Sequence, residues 1–100
     1  MEYSKSSSGS TLKLSLKGEF TFADHSKFKE VIENVDSGDV SELEINLSEL
    51  TFIDSAGLGL LLLLKDKTGD NFSMSLSYPD GQVKKMFEVS RFYELFNIIE

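Results

Sequence analysis

Leu47-Ser48-Glu49-Leu50-Thr51-Phe52-Ile53-Asp54-Ser55-Ala56-Gly57-Leu58-Gly59 is the stretch on which the fold turns. Before it, Leu43-Glu44-Ile45-Asn46-Leu47 alternates apolar and polar residues, which puts Leu43, Ile45 and Leu47 on one face of a strand ending near Leu47. After it, Ser55 to Lys67 is long enough for about three helical turns. Thr68-Gly69 ends that helix, since glycine readily takes the left-handed cap conformation. Asp54 and Ser55 therefore stand where a strand hands over to a helix, and either can accept hydrogen bonds from the unpaired amides of the first turn. Glycine at 57 and 59 weakens a helix by roughly 1 kcal/mol apiece relative to alanine. Close approach by another backbone or a partner protein is expected to offset that cost.

Outward from this junction the pattern repeats. Thr11-Leu12-Lys13-Leu14-Ser15-Leu16-Lys17 has period two, so Leu12, Leu14 and Leu16 share a strand face, and Gly18 interrupts the run. After Phe20-Thr21-Phe22, Asp24 is expected to cap a helix whose Phe28, Val31, Ile32 and Val35 form one apolar stripe, ended by Ser37-Gly38-Asp39. Phe72-Ser73-Met74-Ser75-Leu76-Ser77 predicts a third strand, followed by a helix over about Asp80 to Val89 with Val83, Met86 and Phe87 on one face. The apolar tail Tyr93 to Ile99 packs on the core as either a helical turn or a final strand. The first ten residues are either a frayed tail, which their low hydrophobicity favours, or an edge strand paired with 11–17 through a turn at Ser8-Gly9-Ser10.

Alternating strands and helices imply crossover units with mostly parallel neighbours. Parallel strands covered on both faces read as continuous apolar runs, whereas these carry Lys, Ser, Glu and Asn at every second position. The expected fold class is thus α/β, a mixed, mainly parallel sheet with helices on one face. A doubly wound nucleotide-binding sheet is disfavoured, and no glycine-rich phosphate loop occurs. The 100 residues, with eight Phe, fit one domain (1–100) and one core. The chain has no cysteine, which removes disulfides, thiol catalysis and Cys-ligated zinc. A net charge of −7 opposes approach to nucleic-acid phosphates and anionic membranes, leaving protein or small-ligand partners. The N-terminus lacks a secretory pattern, and the longest apolar run, Leu58 to Leu64, is far short of a bilayer span, so a cytoplasmic location is expected.

Phe52-Ile53-Asp54-Ser55-Ala56-Gly57-Leu58-Gly59, an apolar pair followed by Asp-Ser-small-Gly-Leu-Gly, resembles the signature of STAS domains of bacterial anti-sigma factor antagonists, also called anti-anti-sigma factors. The element order over about residues 11–100, including Gly18-Glu19-Phe20 after the strand, fits that family as well. The resemblance implies a partner switch that regulates transcription without being an enzyme. In it Ser55 is the phosphorylated residue, a cognate anti-sigma factor that doubles as serine kinase binds the unmodified form, phosphorylation releases it, and a serine phosphatase reverses the modification. It further implies a partner surface of Asp54, Ser55, Ala56, Gly57, Leu58 and Gly59 with Glu19 and Thr21 at its border, and no cofactor or metal. Many family members carry Asp where this chain has Thr21, which weakens any role for an acidic residue of that loop. A STAS scaffold for a target other than a sigma factor, not switched at Ser55, is the alternative.

The remaining polar residues have ordinary readings. His25, the sole histidine, is expected to face solvent near a helix start, and one histidine builds no metal cluster. A Ser55–His25–Asp hydrolase lacks the GxSxG elbow and the chain length for a substrate pocket. Lys84-Lys85 reads as a solvated face, and Arg91-Phe92 as a packing and solvation element.

Overall fold

Leu12, Leu14 and Leu16 are all buried while Lys13 and Lys17 between and beside them are exposed, so the strand they occupy has one dry face and one wet face. The structure is a computed structural model describing residues 1–35, 40–68 and 73–100. In chain order the elements are β1 (Glu2–Ser8), β2 (Thr11–Phe20), a single 3-10 turn (Phe22–Asp24), α1 (His25–Asn34), β3 (Glu42–Ile53), α2 (Ser55–Thr68), β4 (Ser73–Ser77), α3 (Gly81–Val89), α4 (Phe92–Leu95) and β5 (Asn97–Ile99). The expected stops at Ser37-Gly38-Asp39 and Gly69, and the expected strand start at Phe72, lie outside the described residues.

The strands form one sheet in the order β1-β2-β3-β4-β5. β1 runs antiparallel to β2, and the three remaining pairs are parallel. The sheet's apolar face, including Leu14, Leu43, Ile45, Leu47 and Leu76, joins Phe28, Val31, Ile32, Leu61, Leu64, Val83 and Phe87 of the helices in one core. Within it the rings of Phe20 and Phe28 lie 4.8 Å apart, and Phe92 lies 5.0 Å from both Phe87 and Phe96. The α/β sheet with helices on one face is as expected. Among the described residues no helix is long and apolar enough to cross a membrane.

Three differences from the sequence reading have physical causes. The first residues are the edge strand and not a frayed tail: β1 pairs with β2 from Glu2–Lys17 to Ser8–Thr11, turning at Gly9 with φ 61°. An outer strand is held by main-chain pairing, so its run of serines is no obstacle, and only Met1 and Tyr3 pack against the core. The tail supplies both candidate elements in succession, a short helix and then β5 pairing parallel with β4. Finally, β3 continues six residues past Leu47 to Ile53. Its register against β2 shifts between Ser15 and Lys17 and again between Gly18 and Glu19, with an extra β3 residue at each place. The buried apolar positions are therefore Leu43, Ile45, Leu47, Leu50 and Ile53, and their spacing changes from two to three at each bulge.

Candidate functional site

β2 and β3 are parallel neighbours, so their C-terminal ends, Phe20 and Ile53, emerge side by side. The chain leaving each of them meets the head of α2, and Asp54 joins the three pieces. Its backbone N–H donates to the Phe20 carbonyl at 3.2 Å, and its own carbonyl accepts from Leu58 N–H at 3.0 Å. Its carboxylate is divided: Oδ1 accepts from Gly57 N–H at 2.9 Å and Oδ2 from Phe22 N–H at 3.2 Å. Asp54 is thus the helix cap that its position suggested, and it also pins the loop following β2.

Gly57 explains why this junction is tight. A Cβ at that position would stand 2.7 Å from the Phe20 carbonyl oxygen and 2.7 Å from Ile53 Cγ1, so α2 can begin against β2 only through a residue without one. The expected close approach exists at Gly57 and comes from the chain's own backbone. A Cβ at Gly59 would meet no atom of the described residues within 4 Å beyond its own stretch of helix, so packing among them does not account for that glycine. Ile53 is held from the other side by the Gln82 side chain, whose amide bonds both its N–H and its carbonyl.

Ser55 is exposed as the first residue of α2, with Asp54 and Ala56 half-buried on either side. Gly59 is exposed one turn on, and the outward stripe continues through Leu62 and Asp66. Gly57 and Leu58, expected at the partner surface, are instead buried: Gly57 packs on β2 and β3, and Leu58 belongs to the core. Glu19 is exposed and Thr21 half-buried, and both line an open cleft of about 470 Å³ beside this end of the sheet. Thr21 also caps the 3-10 turn, its hydroxyl accepting from Ala23 N–H at 3.3 Å.

Asp24 departs from expectation, since its side chain makes no capping bond to α1. Its carboxylate turns back, accepting from Thr21 N–H at 2.9 Å and from the Met1 ammonium at 2.7 Å. Burial pulls its carboxyl upward, but the bonds from Met1 and Thr21 and the charges of Met1 and Lys27 together hold it below its ordinary value. His25 is exposed, its ring 5.9 Å from that of Phe22. Lys84 pairs with Glu100 at 3.4 Å, while Arg91 is exposed and Phe92 buried. Among the described residues no three His, Asp or Glu side chains gather as a metal site would require.

Two residues of this region escaped the sequence reading. Gln82 lies one place inside a helix start and had no local signal, because its partner is 29 residues away. Phe22, which the sequence places only in the link before a helix, is 72% exposed beside Asp54.

Residues 3–99 match the family model described as Mlab, STAS domain. A STAS-domain containing protein of Pseudomonas aeruginosa strain UCBPP-PA14 is 34% identical over 94 residues, covering 93% of this chain and 92% of that one. The chain belongs to the STAS domain family. Among solved structures, an anti-sigma factor antagonist from Mycobacterium paratuberculosis superposes with a TM-score of 0.88 at 17% identity, covering 98% of this chain and 84% of that one. The anti-sigma factor antagonist SpoIIAA in its unphosphorylated form gives 0.75 at 20% identity, covering 99% of this chain and 88% of that one. The phosphorylated form of SpoIIAA, a Bacillus cell fate determinant, gives 0.65 at 21%, covering 99% and 92%. These likenesses establish a shared fold.

Proposed function

We propose that this STAS domain is a phosphorylation-controlled anti-sigma factor antagonist of the bacterial cytoplasm, a binding switch and not an enzyme. Unmodified Ser55 permits binding of a cognate anti-sigma factor that is also a serine kinase, phosphorylation of Ser55 releases it, and a serine phosphatase restores the binding form. The observation that carries this reading is the place of Ser55, exposed at the head of α2 where a kinase can reach it.

The geometry suits a modification that leaves the fold standing. A phosphoserine adds about −1.5 to −2 charges at pH 7. Asp54 already serves the amides of Gly57 and Leu58, while those of Ser55 and Ala56 head the helix without intrahelical acceptors. Those amides and the positive end of the helix dipole accommodate the added charge. Against a partner the outcome differs, because burying a dianion beside the Asp54 carboxylate costs several kcal/mol of lost hydration and repulsion. A loss of about 3–4 kcal/mol corresponds to binding a few hundredfold weaker.

Intact-mass analysis of the native protein with and without phosphatase treatment, combined with binding by Ser55→Ala and Ser55→Asp chains, tests the reading. A phosphate on Ser55, and a partner retained by the alanine form but released by the aspartate form, is the expected result. Equal binding by both forms with no phosphate at position 55 would overturn it in favour of an unswitched STAS scaffold.

A further inference from the structure

We infer that Phe22 is the aromatic anchor of the partner interface, inserting into an apolar recess with a basic rim on the anti-sigma factor or kinase. This rests on the proposal that the partner docks around Ser55. At 72% exposed, Phe22 exceeds every other large apolar side chain on the described surface, with Val89 next at 70%. A single exposed apolar residue means little by itself, and three further observations separate Phe22 from the rest.

The first is rigidity. Phe22 N–H donates to Asp54 Oδ2, and the flanking backbone is closed by a reciprocal cap in which Thr21 accepts from Ala23 and Asp24 accepts from Thr21. The Met1 ammonium ties Asp24 down in turn. The ring is thus presented from a fixed turn, so docking orders little that is not already ordered, which is what makes an aromatic residue an effective anchor. The second is place. The carboxylate that holds Phe22 is the one that caps the helix of Ser55, so ring and phosphosite share one support. Val89, by contrast, ends α3, about 10 Å of helix beyond Gln82. The third is charge. Glu2, Glu19, Asp24 and Asp54 stand around the loop and its cleft against Lys17, Lys27 and the Met1 ammonium, in a chain of net charge −7, so a recess rimmed by Lys or Arg complements this face and favours approach.

The test uses the full chain and, as probe, the purified anti-sigma factor or serine kinase retained by the Ser55→Ala chain. Its binding is titrated against the native, Phe22→Ala, Phe22→Leu, Val89→Ala and Ser55→Asp chains, with urea midpoints recorded for each. Phe22→Ala should weaken binding at least about 30-fold, Phe22→Leu should weaken it less, and Val89→Ala should change it less than about twofold, all with native-like midpoints. Binding by Phe22→Ala within about threefold of native overturns the anchor. If Phe22→Ala loses binding while Ser55→Asp keeps it, the anchor stands and the phosphorylation switch falls; the converse pattern removes the anchor and leaves the switch. A chain that retains no such protein overturns both.

Discussion

The side-chain amide of Gln82 closes two hydrogen bonds on Ile53, accepting from its N–H and donating to its carbonyl, each at 2.9 Å. β4 pairs with β3 only from Glu42 to Asn46, so on that side the far end of β3 has no neighbouring strand among the described residues. One side chain of α3 supplies the donor and acceptor that a strand would have offered. The residue so held is the one before Asp54, which makes Gln82 a positioning residue for the start of α2.

Gln82→Ala should therefore destabilise the domain by about 1–3 kcal/mol, the range for leaving part-buried backbone groups unpaired. The urea midpoint should fall with the slope unchanged, and the Ile53 amide should exchange faster with solvent. Gln82→Glu keeps the acceptor but sets a carboxylate against the Ile53 carbonyl, so it should be no more stable than the alanine variant. Native-like stability and exchange in Gln82→Ala would show that the amide contributes nothing to the junction.

Gly57 and Gly59 should answer the same substitution with opposite signs. Alanine at 57 brings Cβ within 2.7 Å of a backbone oxygen that cannot turn aside, and about 1–3 kcal/mol of overpacking is expected. Alanine at 59 meets nothing within 4 Å and gains about 1 kcal/mol of helix propensity. Thermal or urea melts of the two variants decide the matter, and a stabilising Gly57→Ala would contradict the packing described at this junction.

Asp24 makes stability depend on acid. Its folded-state carboxyl titrates below the ordinary value because the bonds from Met1 and Thr21 outweigh burial. A group depressed in this way contributes stability above its unfolded pKa of about 3.9, and that contribution is lost as pH falls through the lower folded value. Native and Asp24→Asn chains should therefore differ in urea midpoint at neutral pH and converge below the ordinary carboxylate range. A constant difference at all pH values would mean that Asp24 acts by shape alone.

At alkaline pH the sign reverses. The Tyr93 hydroxyl donates to Glu100 Oε1 at 2.6 Å, and that bond, with burial and the nearby acidic charges, pushes the phenol up to about 12. A raised folded pKa gives stability that is full below the unfolded value of about 10 and lost as pH rises through the folded one. Following phenolate absorbance should reveal one tyrosine titrating late, and Glu100→Ala should return it toward the ordinary range. A native titration already without a late tyrosine would remove the bond.

Much of the architecture was legible because period-two and helical stripes report which face of an element is dry, as Leu12-Leu14-Leu16 and Phe28-Val31-Ile32 do. The alternation also announced that only one face of the sheet is covered. β3 beyond Leu47 was illegible for the same reason in reverse: two bulges stretch the spacing of Leu47, Leu50 and Ile53 to three, and the strand signal disappears. The serine-rich edge strand carried almost no apolar signal, since main-chain bonds hold it.

At the candidate site the division is similar. Asp54 and Ser55 were recognisable from residue type and position, because a helix start makes its demands within a few residues. The sequence by itself therefore determined the family, the one-sided α/β sheet and the residues at the strand-to-helix junction. Only the tertiary structure decided that Gly57 meets β2 and β3 while Gly59 meets nothing, that Gln82 stands in for a missing strand, and that Phe22 is turned outward on a fixed loop. Periodicity records the burial of each element separately. Contacts between backbone and side chain across 29 or more residues exist only after those elements have packed.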